Sequence, residues 1–231
     1  MANFFAATDN INESLDVVCQ VAKTLLQPVA LQPSSLPVTN AVSCATVVLL
    51  SGYFESFLKD ITREFIELIN VMNKPISVIP YEMRAKHFLN GGYALIWAAK
   101  QDKKAAQTAK SEDLARRLAS LNKVNGYELA WESFADTQSN PGPEVVSEIL
   151  SGLQVAKAWT EINSLVTEHG QLNTFLTSFI AMRNVCAHTG RHSNPPTGQI
   201  LLDYSGTFRA LAECIDFLLW RQLEEFRGLA S

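Results

Sequence analysis

Arg183-Asn184-Val185-Cys186-Ala187-His188-Thr189-Gly190 gathers an arginine, an amide and a histidine within six residues, after an apolar helical run and before a glycine stop. These three side-chain types suit a phosphodiester. Arginine presents a fixed fork to phosphate oxygens. Histidine titrates near neutrality and can take up or deliver a proton. Asparagine can fix orientation. Nowhere else does the chain concentrate polar chemistry so tightly.

Residues on an α-helix advance by about 100° per position. Asn184 and His188, four apart, therefore share a face, whereas Arg183 and His188 stand about 140° apart. For both to grip one group, either the helix distorts near Gly190, or the working site combines side chains from two chains. The second option predicts a two-fold dimer with both motifs meeting at its axis. A plainer role is also open, because an arginine and a histidine near a helix C-terminus can simply satisfy its last carbonyls and its dipole.

The elements that must position the motif are helical, and no segment alternates convincingly as a strand. A first helix is expected from about Asn10 to Leu26, with Asn10 and Glu13 as a capping box and Ile11, Leu15, Val18, Ala22 and Leu25 on one face. A proline-spaced connector, Gln27 to Pro37, leads to a long helix from about Thr39 to Met72. Phe54, Phe57, Leu58, Ile61, Phe65 and Leu68 form its stripe. Its first half is apolar nearly all round, which places that half deep in the domain or in a subunit contact. Further helices are expected from Pro80 to about Lys100, Asp102 to Leu121, near Glu144, and Ala158 to Glu168. The motif helix carries Leu172, Phe175, Leu176, Phe179 and Ile180 on its apolar face, and a closing helix runs from Thr197 to Phe226. The chain reads as an all-α bundle of long amphipathic helices. It forms one domain over 1–231, with about 81–140 as a helical middle insertion.

Composition narrows the function classes. The chain is 47% hydrophobic and 18% charged, within the range of globular proteins rather than disordered ones. Its net charge of −4 is uneven: Lys100 to Lys123 carries +4 and the remainder −8. A basic strip on an acidic body suits a specific polyanion groove better than nonspecific coating. Cys19, Cys44, Cys186 and Cys214 are scattered and read as buried thiols of a reducing compartment. No charge occurs between Lys23 and Glu55, but prolines and amides interrupt that stretch, leaving about ten strongly apolar residues against the roughly twenty of a membrane span. With no basic region ahead of apolar residues at the N-terminus, a cytoplasmic protein is expected.

Arg-Asn-x-x-Ala-His at the end of an amphipathic helix, followed by glycine, resembles the signature of HEPN domains. These helical-bundle proteins occur in toxin–antitoxin, phage-defence and RNA-processing systems. Leu49-Leu50-Ser51-Gly52-Tyr53-Phe54-Glu55-Ser56-Phe57-Leu58-Lys59 is similar to the early helix of the MAE-type and RiboL-PSP-type families, where an aromatic, a glutamate and an aromatic recur in that order. The resemblance covers roughly Val42 to Met72 and Leu172 to Gly190 well, and about Glu82 to Ser139 only as unspecific helix.

The resemblance implies a metal- and cofactor-independent endoribonuclease acting as a homodimer with a composite site. His188 would be the acid/base residue, Arg183 would neutralise charge on the pentavalent phosphate, and Asn184 would orient the histidine or bind the phosphate. The 2′-hydroxyl would attack, leaving a 2′,3′-cyclic phosphate, and DNA would resist. An antitoxin or defence-system protein is the implied partner. In toxins controlled by nucleotidyltransferases a tyrosine stands two residues after the histidine. Here that position is Gly190, which speaks against that route of control. The alternative is a non-catalytic HEPN module binding RNA or a protein, and a third reading is a purely structural dimerisation domain.

Other candidates are weaker. Glu55 reads as a surface partner of Lys59 or as a supporting residue turned toward Arg183 or His188. Lys103, Lys104, Arg116, Arg117 and Arg191 are the candidate RNA-binding cations, although a basic strip is more often a solvated face. Cys186, His188 and His192 do not make a metal site, because Gly190 breaks their alignment. His87 and His169 read as surface or helix-end residues, and Gly91-Gly92 lacks the context of a nucleotide loop.

Overall fold

The computed structural model describes residues 3–100, 105–135, 140–166 and 170–228. Among them are eight α-helices and no strand: α1 (Ala6–Leu25), α2 (Leu36–Met72), α3 (Tyr81–Lys100), α4 (Ala105–Ser120), α5 (Pro143–Gly152), α6 (Ala158–Leu165), α7 (Leu172–Thr189) and α8 (Gly198–Gly228). Short 3₁₀ turns fill the connectors at Pro28–Leu31, Pro33–Ser35, Ile76–Val78 and Trp131–Ser133. The all-α expectation is met. The chain divides into two compact units, to both of which α2 and α8 contribute residues.

The first unit comprises Met1–Leu58, Thr137–Ser147 and Lys157–Phe217. Its centre is a cluster of rings that fixes α2, α7 and α8. Phe179 meets Phe208 edge-on at 4.7 Å and Tyr204 at 5.4 Å, and Phe54 lies 5.1 Å from Phe208. Against this cluster α7 holds the motif at its C-terminal end. Helix α1 buries Ile11, Leu15, Val18 and Ala22, as its periodicity predicts.

Helix α1 begins earlier than expected, and the Asn10–Glu13 capping box is not its start. Phe5 takes the N-cap position with no side-chain cap of its own. The cap comes from a residue 208 to 212 positions away in sequence. The buried Asp216 carboxylate accepts the Phe4 and Phe5 amides at 2.9 and 3.0 Å and the Thr8 hydroxyl at 2.7 Å. A carboxylate near the positive end of the helix dipole satisfies the otherwise orphaned N–H groups.

Helix α2 starts at Leu36, with Pro37 in its first turn, where a missing amide hydrogen costs nothing. For that reason the prolines do not interrupt the apolar stretch as the sequence reading supposed. Pro33–Met72 is long and apolar enough to cross a membrane by length and composition, while half of its most apolar window is buried inside the molecule, as in a core helix. Its first half is not uniformly deep: Leu36, Val38, Val42 and Leu49 are exposed. Leu68, expected on the buried stripe, is also exposed.

The second unit comprises Lys59–Asp136, Glu148–Ala156 and Leu218–Ser231. Phe65, Ile66, Ile69, Met83, Leu129, Phe134, Leu218 and Leu219 are buried there. Gly91 is a packing residue. A Cβ on it would stand 2.6 Å from a Leu118 methyl and 2.9 Å from the Ser133 hydroxyl, so its bare backbone lets α3 approach α4 closely. Asn70 brackets the backbone of Leu129, donating to its carbonyl and accepting its amide at 3.0 and 2.8 Å.

His87 corrects the sequence reading. It is completely buried rather than on the surface. Its Nδ1 accepts the Ala130 amide at 3.1 Å, its ring stacks on Phe134, and its Nε2 has no partner. Burial above all, with the Arg117 charge adding, lowers its pKa to about 4. His169 lies outside the described residues.

Candidate functional site

The motif occupies the last turns of α7, which remains regular α-helix through Thr189. Gly190 follows in the left-handed conformation, φ 64°, and donates its amide to the Cys186 carbonyl at 2.9 Å. Glycine adopts this conformation without steric cost, and the helix stops there. Regularity removes one of the two ways in which Arg183 and His188 could meet within a chain, since nothing bends the helix between them.

Arg183 is half-buried, and its Nε is buried without a hydrogen-bond partner. Its Nη1 reaches the Asn184 side-chain oxygen at 3.4 Å. That oxygen also accepts the Asn140 side-chain amide at 2.6 Å. The bonds of Asn184 thus run to Arg183 and Asn140, and its oxygen steadies the guanidinium. Asn140 was legible only as part of a Pro- and Gly-rich break. A polar side chain rigidly framed by Pro141 was the signal that could have marked it as an anchor.

His188 is exposed, one turn beyond Asn184. Between them Cys186 points inward and is fully buried beside Cys44 of α2. Burial, with the Cys44 contact, pushes the Cys186 thiol up to about 12, so it stays protonated and packs as a small apolar group.

The segment after Gly190 is also pinned. Asn40 of α2 donates to the His192 carbonyl at 2.9 Å and accepts the His192 amide at 3.1 Å. The His192 ring is engaged locally with the Asn194 backbone at 2.6 and 3.0 Å. The exposed Arg191 donates its amide to the Thr189 hydroxyl at 3.2 Å, and its carbonyl accepts from the same hydroxyl. Sequence reasoning missed Asn40 because its partner lies 152 residues away. Among the described residues, no three His, Cys, Asp or Glu side chains come together to hold a metal ion.

Glu55 is half-buried on α2. Lys103 and Lys104 lie outside the described residues. Arg116 and Arg117 belong to the second unit and are engaged with acids. Arg116 donates to Asp113 at 2.6 Å and Glu128 at 2.8 Å, and Arg117 donates to Asp113 at 2.8 Å. The Arg116 hydrogen bonds hold the Asp113 and Glu128 carboxyls below their usual range.

A sequence profile described as RiboL-PSP-HEPN matches residues 22–220. Among curated proteins and among solved structures, nothing matches this chain.

Proposed function

This chain belongs to the RiboL-PSP-HEPN family, and from that premise we propose that it is a metal-independent endoribonuclease. The observation that carries the reading is the state of the α7 terminus. A guanidinium steadied by Asn184, with an unpartnered buried Nε, and an exposed imidazole stand on one helix end. In the proposed reaction His188 takes the proton from the ribose 2′-hydroxyl or returns one to the leaving 5′-oxygen. The 2′-oxygen attacks phosphorus, the bond to the 5′-oxygen breaks, and a 2′,3′-cyclic phosphate remains. Arg183 stabilises the negative charge gathered on the phosphoryl oxygens. Because a regular helix sets Arg183 and His188 about 140° apart, the working site is composite, with each phosphate held by residues of two copies across a two-fold axis.

The proposed setting is cytoplasmic, as a toxin or defence effector restrained by a partner protein. Purified chain incubated with labelled RNA, with and without chelator, tests the chemistry. Cleavage unaffected by chelator and ending in cyclic phosphate is the expected result. The folded His188→Ala protein should lose about 10²–10⁴-fold in rate. A second reading draws on the same 140° separation: within one chain these groups do not converge, as befits a module that binds RNA without cutting it. RNA affinity that falls in Arg183→Ala, with no cyclic phosphate from the parent protein, would establish that reading instead.

A further inference from the structure

The Asn184 side chain has two unlike ends, an oxygen that accepts and an NH2 group that donates. Its hydrogen bonds to described residues both end on the oxygen, from Asn140 Nδ2 at 2.6 Å and Arg183 Nη1 at 3.4 Å. Arg183 sets that orientation, because a guanidinium only donates and meets no NH2 group favourably. With the oxygen facing Arg183, Asn140 must in turn present its own NH2. Two donors then fill the two lone pairs of the Asn184 oxygen, and its NH2 group is turned away from both neighbours. Asn184 shares its face of α7 with His188, one turn further on.

Asn140 is the firmer of the two supports, since its bond is the shorter and its own segment is fixed. Pro141 is buried and holds the residue before it to extended backbone. The Asn140 carbonyl accepts the Gly142 amide at 2.6 Å, and the Trp159 indole donates to the Pro143 carbonyl at 2.9 Å. The bond to Asn184 is not what ends α7, because Gly190 already does so.

We infer that Asn140 is a positioning residue for cleavage, holding the Asn184 amide so that its NH2 donates to a phosphoryl oxygen of the scissile phosphate. With its oxygen filled, this amide cannot accept an N–H of His188, and donation is what remains to it. The phosphoryl oxygen is the acceptor whose charge grows along the reaction. The inference rests on the nuclease reading and adds to it a residue outside the motif, supplied by the segment that leads into α5.

Steady-state cleavage of labelled RNA by the full chain tests it, with circular dichroism and thermal melting as the check on folding. Asn140→Ala should lower kcat by about tenfold, the size of one lost hydrogen bond, and change KM less. Asn140→Asp keeps the shape, but its carboxylate cannot donate, repels the Asn184 oxygen and attracts Arg183. It should fall further than Asn140→Ala. On an Asn184→Ala background, adding Asn140→Ala should change kcat by less than about twofold, because the group it positions is gone. Sulfur in place of one non-bridging oxygen of the scissile phosphate is a poorer acceptor. For one of the two diastereomers it should slow the parent more than it slows Asn140→Ala, a ratio that a role confined to folding would not move.

A parent that cleaves, with Asn140→Ala equal to it in kcat, would overturn this inference alone. So would Asn140→Asp more active than Asn140→Ala, an equal sulfur effect in parent and variant, or a loss that repeats in full on the Asn184→Ala background. A parent with no cleavage would overturn the nuclease reading and this inference with it.

Discussion

Arg183 and Arg116 both project from helices, and both qualify by residue type as phosphate ligands. Their surroundings differ. The Arg116 guanidinium is shared between Asp113 and Glu128, whereas among the described residues Arg183 has one long bond to a neutral amide and a buried Nε with no partner. An arginine whose donors are occupied by carboxylates stabilises its own surroundings, and a phosphate would have to displace them. One with idle donors keeps that capacity for a ligand. The contrast shows why a positive segment in the sequence is a poor guide to a polyanion site: what matters is the capacity left over after folding.

The sharpest way to break this comparison is Arg183→Ala. If the idle donors serve the transition state, RNA cleavage should fall by about 10²–10³-fold in kcat, a loss of the size seen when one charge-stabilising donor is removed. Substrate affinity should change less. Activity within twofold of the parent would remove Arg183 from the site and leave the motif as a helix-end device.

Asp216 sharpens the other half, a charged group whose partners are all supplied by the fold. Its carboxylate accepts three hydrogen bonds from the residues that open α1, the Phe4 and Phe5 amides and the Thr8 hydroxyl. Asp216→Ala strands those donors, and a loss of about 3 kcal/mol is expected in denaturant unfolding. The Thr8→Val change removes one bond and should cost about 1 kcal/mol.

How far the sequence reached follows from the same distinction. Helix periodicity, the glycine stop at Gly190 and the Arg183/Asn184/His188 string are local signals; the long helices lie within a few residues of where the pattern placed them, and the string ends α7 at Gly190. Asn140 against Asn184, Asn40 against His192 and Asp216 against α1 are pairings across 44 to 212 residues, which no local pattern encodes. His87 shows the same limit. Its Met83–His87–Gly91 spacing marks a helix face, but a polar residue there reads as surface unless the Ala130 amide that satisfies it is known.

His87 is also a polar group only half satisfied, and pH probes it. In the unfolded chain it titrates near its ordinary value of 6.5, and in the folded chain near 4. Between those values the unfolded state binds the extra proton, so stability rises with pH and falls on acidification. The accumulated loss by pH 4 is about 3 kcal/mol from this group. Replacing it with glutamine, which can still accept the Ala130 amide, should flatten the melting temperature between pH 6.5 and 4.5. An equally steep dependence in the variant would assign the effect elsewhere. Asp113 and Glu128, held low, would add theirs only at more acidic pH.

Gly190→Ala probes the stop itself. A Cβ there meets no neighbour, so the cost is the left-handed backbone alone, about 1 kcal/mol. If His188 depends on the position of the last turn, cleavage should fall further than stability does.

The smallest effect is expected at Arg116→Ala, and it returns to the opening contrast. The side chain is largely exposed, so losing its pairs with Asp113 and Glu128 should leave the melting temperature nearly unchanged. If its donors are occupied by those acids when RNA is present too, KM and the salt dependence of binding should match the parent, because no phosphate contact is lost. A KM several-fold higher, with a shallower salt slope, would mean that RNA competes successfully for the guanidinium. In that case occupied donors would not mark a structural arginine in this protein, and the distinction between α7 and α4 would have to rest on chemistry at His188 alone.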